Sequence, residues 1–110
     1  MLFDKDGNIV IITQEKLSVV ELVKRMTETY HRLKSDNVVV NLTTINPITL
    51  EELIEFLRLS NKHRSQKLSF VIVTDKVDLD EVPDELVVVP TLQEAYDIIE
   101  MEEIERDLGF

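Results

Sequence analysis

Cysteine is absent from this chain, and with it go disulfide frameworks, thiolate metal sites and cysteine nucleophiles. Glycine is almost as scarce. Only Gly7 and Gly109 occur, so neither a phosphate-cradling P-loop nor a dinucleotide fingerprint can be built. The two histidines, His31 and His63, lie near the ends of different helical stretches and lack a His-x-His or His-x-x-x-His spacing that would converge on one metal. Both read as surface helix residues. Aliphatic runs such as Ile9 to Ile12 are too short to cross a bilayer, and the start, MLFDKDGN, has neither a basic region nor an apolar one of signal-peptide type. The expectation is a soluble cytoplasmic protein without cofactor, metal or membrane partner.

What remains is a chain of 110 residues, suited to one domain that buries about two-thirds of its unfolded surface. Its formal charge of −10 is local. Residues 75–110 carry 13 acidic side chains against two basic ones, while residues 1–74 carry nine against ten. A concentrated acidic end repels polyanions and attracts cations, which argues against nucleic acid and for a protein partner with a basic surface.

Hydrophobic periodicity supplies the elements. Residues 1–13 read as a hairpin around Asp6-Gly7-Asn8. A helix follows, opened by Ser18 with Glu21 as a capping box and by a staple of Leu17 on Leu22; Val19, Leu22, Val23, Met26, Tyr30 and Leu33 carry it to Ser35–Asn37. Val38 to Leu42 is a strand, and a second box, Thr49 with Glu52, opens a helix whose apolar face is Leu50, Leu53, Ile54 and Leu57. Arg58, Lys62, Arg64 and Lys67 suit the C-terminal end of that helix by its dipole. Leu68 to Val73 and Leu86 to Val89 are further strands, separated by the acidic loop DKVDLDEVPDE. Thr91 with Glu94 opens a last helix with Leu92, Ala95, Tyr96 and Ile99 on one face; beyond Glu100 the apolar positions drift to Met101, Ile104 and Leu108, which suggests a bend or a separate terminal helix. Such alternation predicts an α/β domain over residues 1–100, with a mostly parallel sheet, an N-terminal hairpin and an acidic helical tail over 101–110. The strand runs are too apolar for a sheet with one face in water, so the terminal helix or a homodimer should cover the second face.

Catalytic chemistry does not emerge. The cluster Asp75, Asp78, Asp80, Glu81, Asp84, Glu85 lacks the turn glycine and the bidentate twelfth-position Glu of a calcium loop. Phosphoacceptor receiver chemistry needs an aspartate at the end of the third strand, whereas the corresponding strand ends here carry Thr13-Gln14 and Asn41.

Two stretches resemble the STAS domains, the sulphate-transporter and anti-sigma-antagonist family. NLTTINPITLEEL (Asn41 to Leu53) is similar to that family's Asp-Leu-Ser strand end and its Asp-Ser-Ser/Thr-Gly helix start; VVVPTLQEA (Val87 to Ala95) is similar to its last strand and the helix that follows. The order of elements agrees over roughly residues 8–100. The terminal IEMEEIERDLGF also looks like that of short bacterial STAS-like proteins that sometimes carry a ribonuclease Z label, although the His-x-His-x-Asp-His zinc motif of that nuclease is absent. The resemblance implies a βα superhelix with helices mainly on one face of the sheet, and partners docking around the start of the second helix. In the anti-sigma-antagonist branch a serine there is phosphorylated. Laid on the motif, the usual Asp falls at Thr49 and the acceptor Ser at Glu51, with Leu50 and Glu52 in place of Ser and Gly. Glu51 would mimic a phosphorylated acceptor, but a carboxylate in a first helical turn already suits the dipole.

The expectation is therefore a non-enzymatic, STAS-like regulatory module that binds another protein through Thr43, Thr44, Asn46, Thr49, Glu51 and Glu52, and through Ile104 and Leu108 of the acidic end. Alternatives are a phosphoryl- or small-ligand-responsive switch centred on Thr49, with Thr49 as a phosphorylation site, and an accessory subunit of a nuclease.

Overall fold

The computed structural model describes residues 1–16 and 18–109, so the staple between Leu17 and Leu22 lies outside the described residues. Strands β1 (Leu2–Asp6) and β2 (Ile9–Thr13) form the N-terminal hairpin, closed by Gly7-Asn8 with Gly7 at a φ of 59°, a conformation open to glycine at no steric cost. Strands β3 (Asn37–Asn41), β4 (Phe70–Val73) and β5 (Val87–Val89) then add one after another in parallel, giving the order β1-β2-β3-β4-β5. The α/β class and the mostly parallel five-stranded sheet follow directly.

Because side chains alternate across a sheet, one register serves two cores. Val10, Ile12, Val38, Val40, Phe70 and Ile72 face α1 (Val19–Glu28), α2 (Leu50–Ile54) and α3 (Leu57–Ser65). Ile11, Val39, Val71 and Val73 face the other way and pack on Ala95 and Ile99 of α4 (Leu92–Asp107). Three helices thus lie on one face, and the longest helix covers the second. No homodimer is needed to dry the sheet.

Four expectations are corrected. The first helix ends at Glu28, not at Ser35–Asn37, and passes into a short 3-10 turn at Tyr30–Arg32. Thr27 and Thr29 each donate their hydroxyl to the carbonyl four residues back, at 2.8 Å, a competing bond that loosens the helical ladder at this point. The second helix breaks at Glu55 and Phe56, whose N–H groups close i−3 bonds to Glu52 and Leu53. That step turns Phe56, Leu59, Ser60 and His63 inward, while Ile54 becomes exposed. His63 is consequently fully buried, not on the surface. Finally, α4 runs unbroken through Glu100 to Asp107, without the expected bend.

Candidate functional site

Residues Thr43 to Glu52 connect the C-terminal end of β3 to α2, where the sequence places a docking surface. They do lie together, and apart from buried Ile48 all have exposed or half-exposed side chains. Their polar atoms, however, are spent on shaping the loop. Asn41 Oδ1 accepts from the Thr43 backbone N–H at 3.1 Å and from its hydroxyl at 2.7 Å. Thr44 Oγ1 donates to the Gln14 carbonyl at 2.5 Å, tying the loop to the end of β2. Asn46 precedes a cis peptide bond to Pro47. Thr49 makes the complete capping box: its Oγ1 accepts from the Glu52 N–H at 3.1 Å, and the Glu52 carboxylate accepts from the Thr49 N–H at 2.9 Å and from its hydroxyl at 3.1 Å. Glu51 stands free in the first turn, where its charge suits the helix dipole. The boxes expected at Ser18 and Thr91 are half-made, since each hydroxyl caps an N–H without the reciprocal carboxylate-to-backbone bond.

Ile104 and Leu108 lie elsewhere. Helix α4 starts beyond the C-terminal end of β5 and runs back across the sheet, so its last turns reach the opposite strand ends, about 16 Å away at strand rise. The two expected surfaces are separate. Along α4 the inner positions are Leu92, Ala95, Ile99, Glu102 and Arg106. The first three are apolar and rest on the sheet; the last two enter a polar clamp. Glu102 accepts from Arg64 Nη2 at 2.5 Å and from Ser69 Oγ at 2.6 Å, while Arg106 donates to Ser69 Oγ at 3.2 Å and to Asn37 Oδ1 at 3.4 Å. Asn37 Oδ1 also holds the Ser69 backbone N–H at 2.8 Å, and Asn8 donates to Glu103 at 2.7 Å. Helical geometry then sends Met101, Ile104 and Leu108 outward, where they are 51%, 52% and 66% exposed. Asp97, Glu100 and Glu105 flank them and are exposed too.

On the opposite layer an open groove of about 680 Å³ separates α1 from α2 and α3. Tyr30 and Leu59 form its buried floor, and Val23, Leu57 and Ile54 its walls. Arg58 and Lys62 stand over it on α3 and make no ion pair among the described residues. Lys62 Nζ sits 4.5 Å from the centre of the Tyr30 ring. Glu55 lines the groove as well, and Arg64 of the same helix is paired with Glu102, so Arg58 and Lys62 are the cations that border the groove.

Beneath the groove lies a buried polar pair that the sequence did not single out. The Asp36 carbonyl can only accept, so His63 Nε2 donates to it at 2.7 Å and the neutral ring offers Nδ1 to the Tyr30 hydroxyl, also at 2.7 Å. Burial pushes the His63 pKa below its ordinary range, with Arg64 adding to the fall; the bond to Asp36 and the Asp36 charge oppose it. Burial likewise raises Tyr30. The signal was available: Phe56, Leu59, Ser60 and His63 recur at helical spacing. Gln14 was similarly legible, because alternation after Val10 and Ile12 turns it inward; it is fully buried, with Oε1 lacking a hydrogen-bond partner among the described residues.

No group of three or more metal-ligating side chains occurs among the described residues, and no helix among them is long and apolar enough to cross a membrane. Neither family models nor curated proteins match the chain.

Proposed function

We propose that this chain is a non-enzymatic protein-binding module, of STAS-like kind, that works through the outer face of α4. The observation that carries this reading is the half-exposure of Met101, Ile104 and Leu108 on a helix whose other face is anchored by core packing and by the Glu102–Arg64 pair. A rigid helix presenting apolar anchors at i, i+3 and i+7 suits the groove of another protein, and its acidic flanks favour a basic groove. The loop from Thr43 to Glu52 is the weaker surface, since its hydroxyls are committed to internal bonds. The same commitment argues against Thr49 as a phosphorylation switch. The antiparallel hairpin followed by successive parallel strands supports the STAS-like reading of the fold.

The magnitude is modest. Completing the burial of three half-exposed side chains is worth about 1 kcal/mol each, from which the entropy of association must be subtracted. Binding should therefore be weak and reversible, with charge setting rate and selectivity. A photo-crosslinking amino acid at Met101, expressed in the native cells, tests the surface against the same probe at exposed Asp84. A discrete cross-linked species from position 101, lost in Ile104→Ala/Leu108→Ala, is the expected result. Equal labelling from both positions, or none from either, refutes the reading.

A further inference from the structure

We infer that the occupant of the α4 surface is a second copy of this chain, which receives Met101, Ile104 and Leu108 in the groove between α1 and the α2–α3 pair. The inference rests on the binding role proposed for α4 and names its partner. One molecule carries both halves of a contact. The apolar stripe on α4 is flanked by Asp97, Glu100 and Glu105, and the apolar groove is flanked by Arg58 and Lys62, cations without an ion-pair partner among the described residues. Glu55 also lines the groove, so its border carries two cations against one acid, while the border of the stripe carries three acids, Asp97, Glu100 and Glu105. The lengths agree as well. Met101 to Leu108 spans about 10 Å of helix, and Leu57 to Lys62, the unbroken helical wall of the groove, about 8 Å.

Geometry decides how the copies meet. Helix α4 lies on one face of the sheet and the groove on the other, so stripe and groove of one molecule point in opposite directions. A two-fold dimer that satisfies both at once is ruled out by that arrangement, and the contact repeats head to tail. Direct α4-to-α4 pairing is disfavoured by charge, because it sets Asp97, Glu100 and Glu105 of each copy against the same residues of the other.

Sedimentation velocity and light scattering on the full chain, at low and high protein concentration, test this. Wild-type mass should climb beyond that of a dimer without a plateau. Arg58→Glu/Lys62→Glu destroys the groove's charge and leaves the stripe; Ile104→Ala/Leu108→Ala removes the stripe and leaves the groove. Each variant alone should remain monomeric, with circular dichroism confirming its fold. Mixed one to one, they should form a species that stops at the dimer, because together they retain one intact stripe and one intact groove. That complementation also shows that both variants are folded where it matters. A wild type that stays monomeric throughout overturns the inference, as does assembly that survives Arg58→Glu/Lys62→Glu, or a mixture that fails to pair. If self-association fails while the Met101 probe still captures a different protein through Ile104 and Leu108, the occupant is wrong and the binding role stands. Loss of both removes both.

Discussion

Two isoleucines five positions apart on α4 provide an internal comparison. Ile99 is 1% exposed against the sheet, whereas Ile104 is 52% exposed. Ile99→Ala strips a buried side chain back to its β-carbon, a transfer loss of about 2.4 kcal/mol at 0.8 kcal/mol per carbon. Incomplete collapse of the space left behind brings the expected cost to about 3–4 kcal/mol. Alanine's better helix propensity returns only about 0.4 kcal/mol. Ile104→Ala forfeits about half the transfer energy, opens no cavity and gains the same propensity, so its net cost is about 0.5–1 kcal/mol. At about 4 °C per kcal/mol for a domain of this size, the melting temperature should fall by about 10–15 °C for Ile99→Ala and by less than about 4 °C for Ile104→Ala. Thermal and urea unfolding followed by circular dichroism, at protein concentrations too low for association, measures both. Equal small losses would mean that α4 does not seal the second face of the sheet. Equal large losses would place Ile104 in the core and remove the case for α4 as a docking surface.

The buried His63 sets a pH dependence. Its folded pKa is lowered, so below about pH 6.5 the unfolded chain binds a proton that the folded chain excludes, and stability should decline as pH falls through and below about 6.5. In His63→Gln that slope should flatten even though absolute stability drops; an unchanged slope in urea titrations across this window would contradict the neutral, buried assignment. The clamp predicts a local effect: Glu102→Ala should cost about 1–3 kcal/mol, because it leaves Arg64 Nη2 and Ser69 Oγ without their acceptor, and should raise hydrogen exchange over the C-terminal half of α4. Unaltered exchange there would show that the clamp does not hold the helix.

The elements themselves were legible because each rests on short-range chemistry. Asp6-Gly7-Asn8 marked the hairpin, short apolar, β-branched runs marked β2 to β5, and Thr49 with Glu52 marked the start of α2. The misreadings of α3 and α4 share a cause, the equation of an inward face with an apolar one. After Glu100 the inner positions of α4 pass to Glu102 and Arg106, which meet Arg64, Ser69 and Asn37; the apolar residues drift outward, and the pattern imitates a bend. In α3 the buried face includes Ser60 and His63, so counting leucines selected the wrong phase. A polar residue at an inward position becomes legible only when its partner is known, and Tyr30 lies 33 residues from His63.

The charge of α4 is harder to derive from folding than its packing. Glu94 sits in the first turn, where the helix dipole favours it, and Glu102 and Glu103 accept hydrogen bonds from the domain. Glu105 and Asp107 stand at the C-terminal end, where a negative charge opposes the dipole by about 0.3–1 kcal/mol each. Asp97 lies three residues from Glu94 and from Glu100, a like-charge spacing that weakens a helix by about 0.2–0.5 kcal/mol per pair. These side chains therefore subtract from the stability of the isolated domain, and they do so around the three apolar side chains that the domain leaves in water. A basic surface laid over Met101, Ile104 and Leu108 relieves both penalties together, by burying the apolar stripe and neutralising its border. The proposed docking would account for the unfavourable charges and the unburied anchors together.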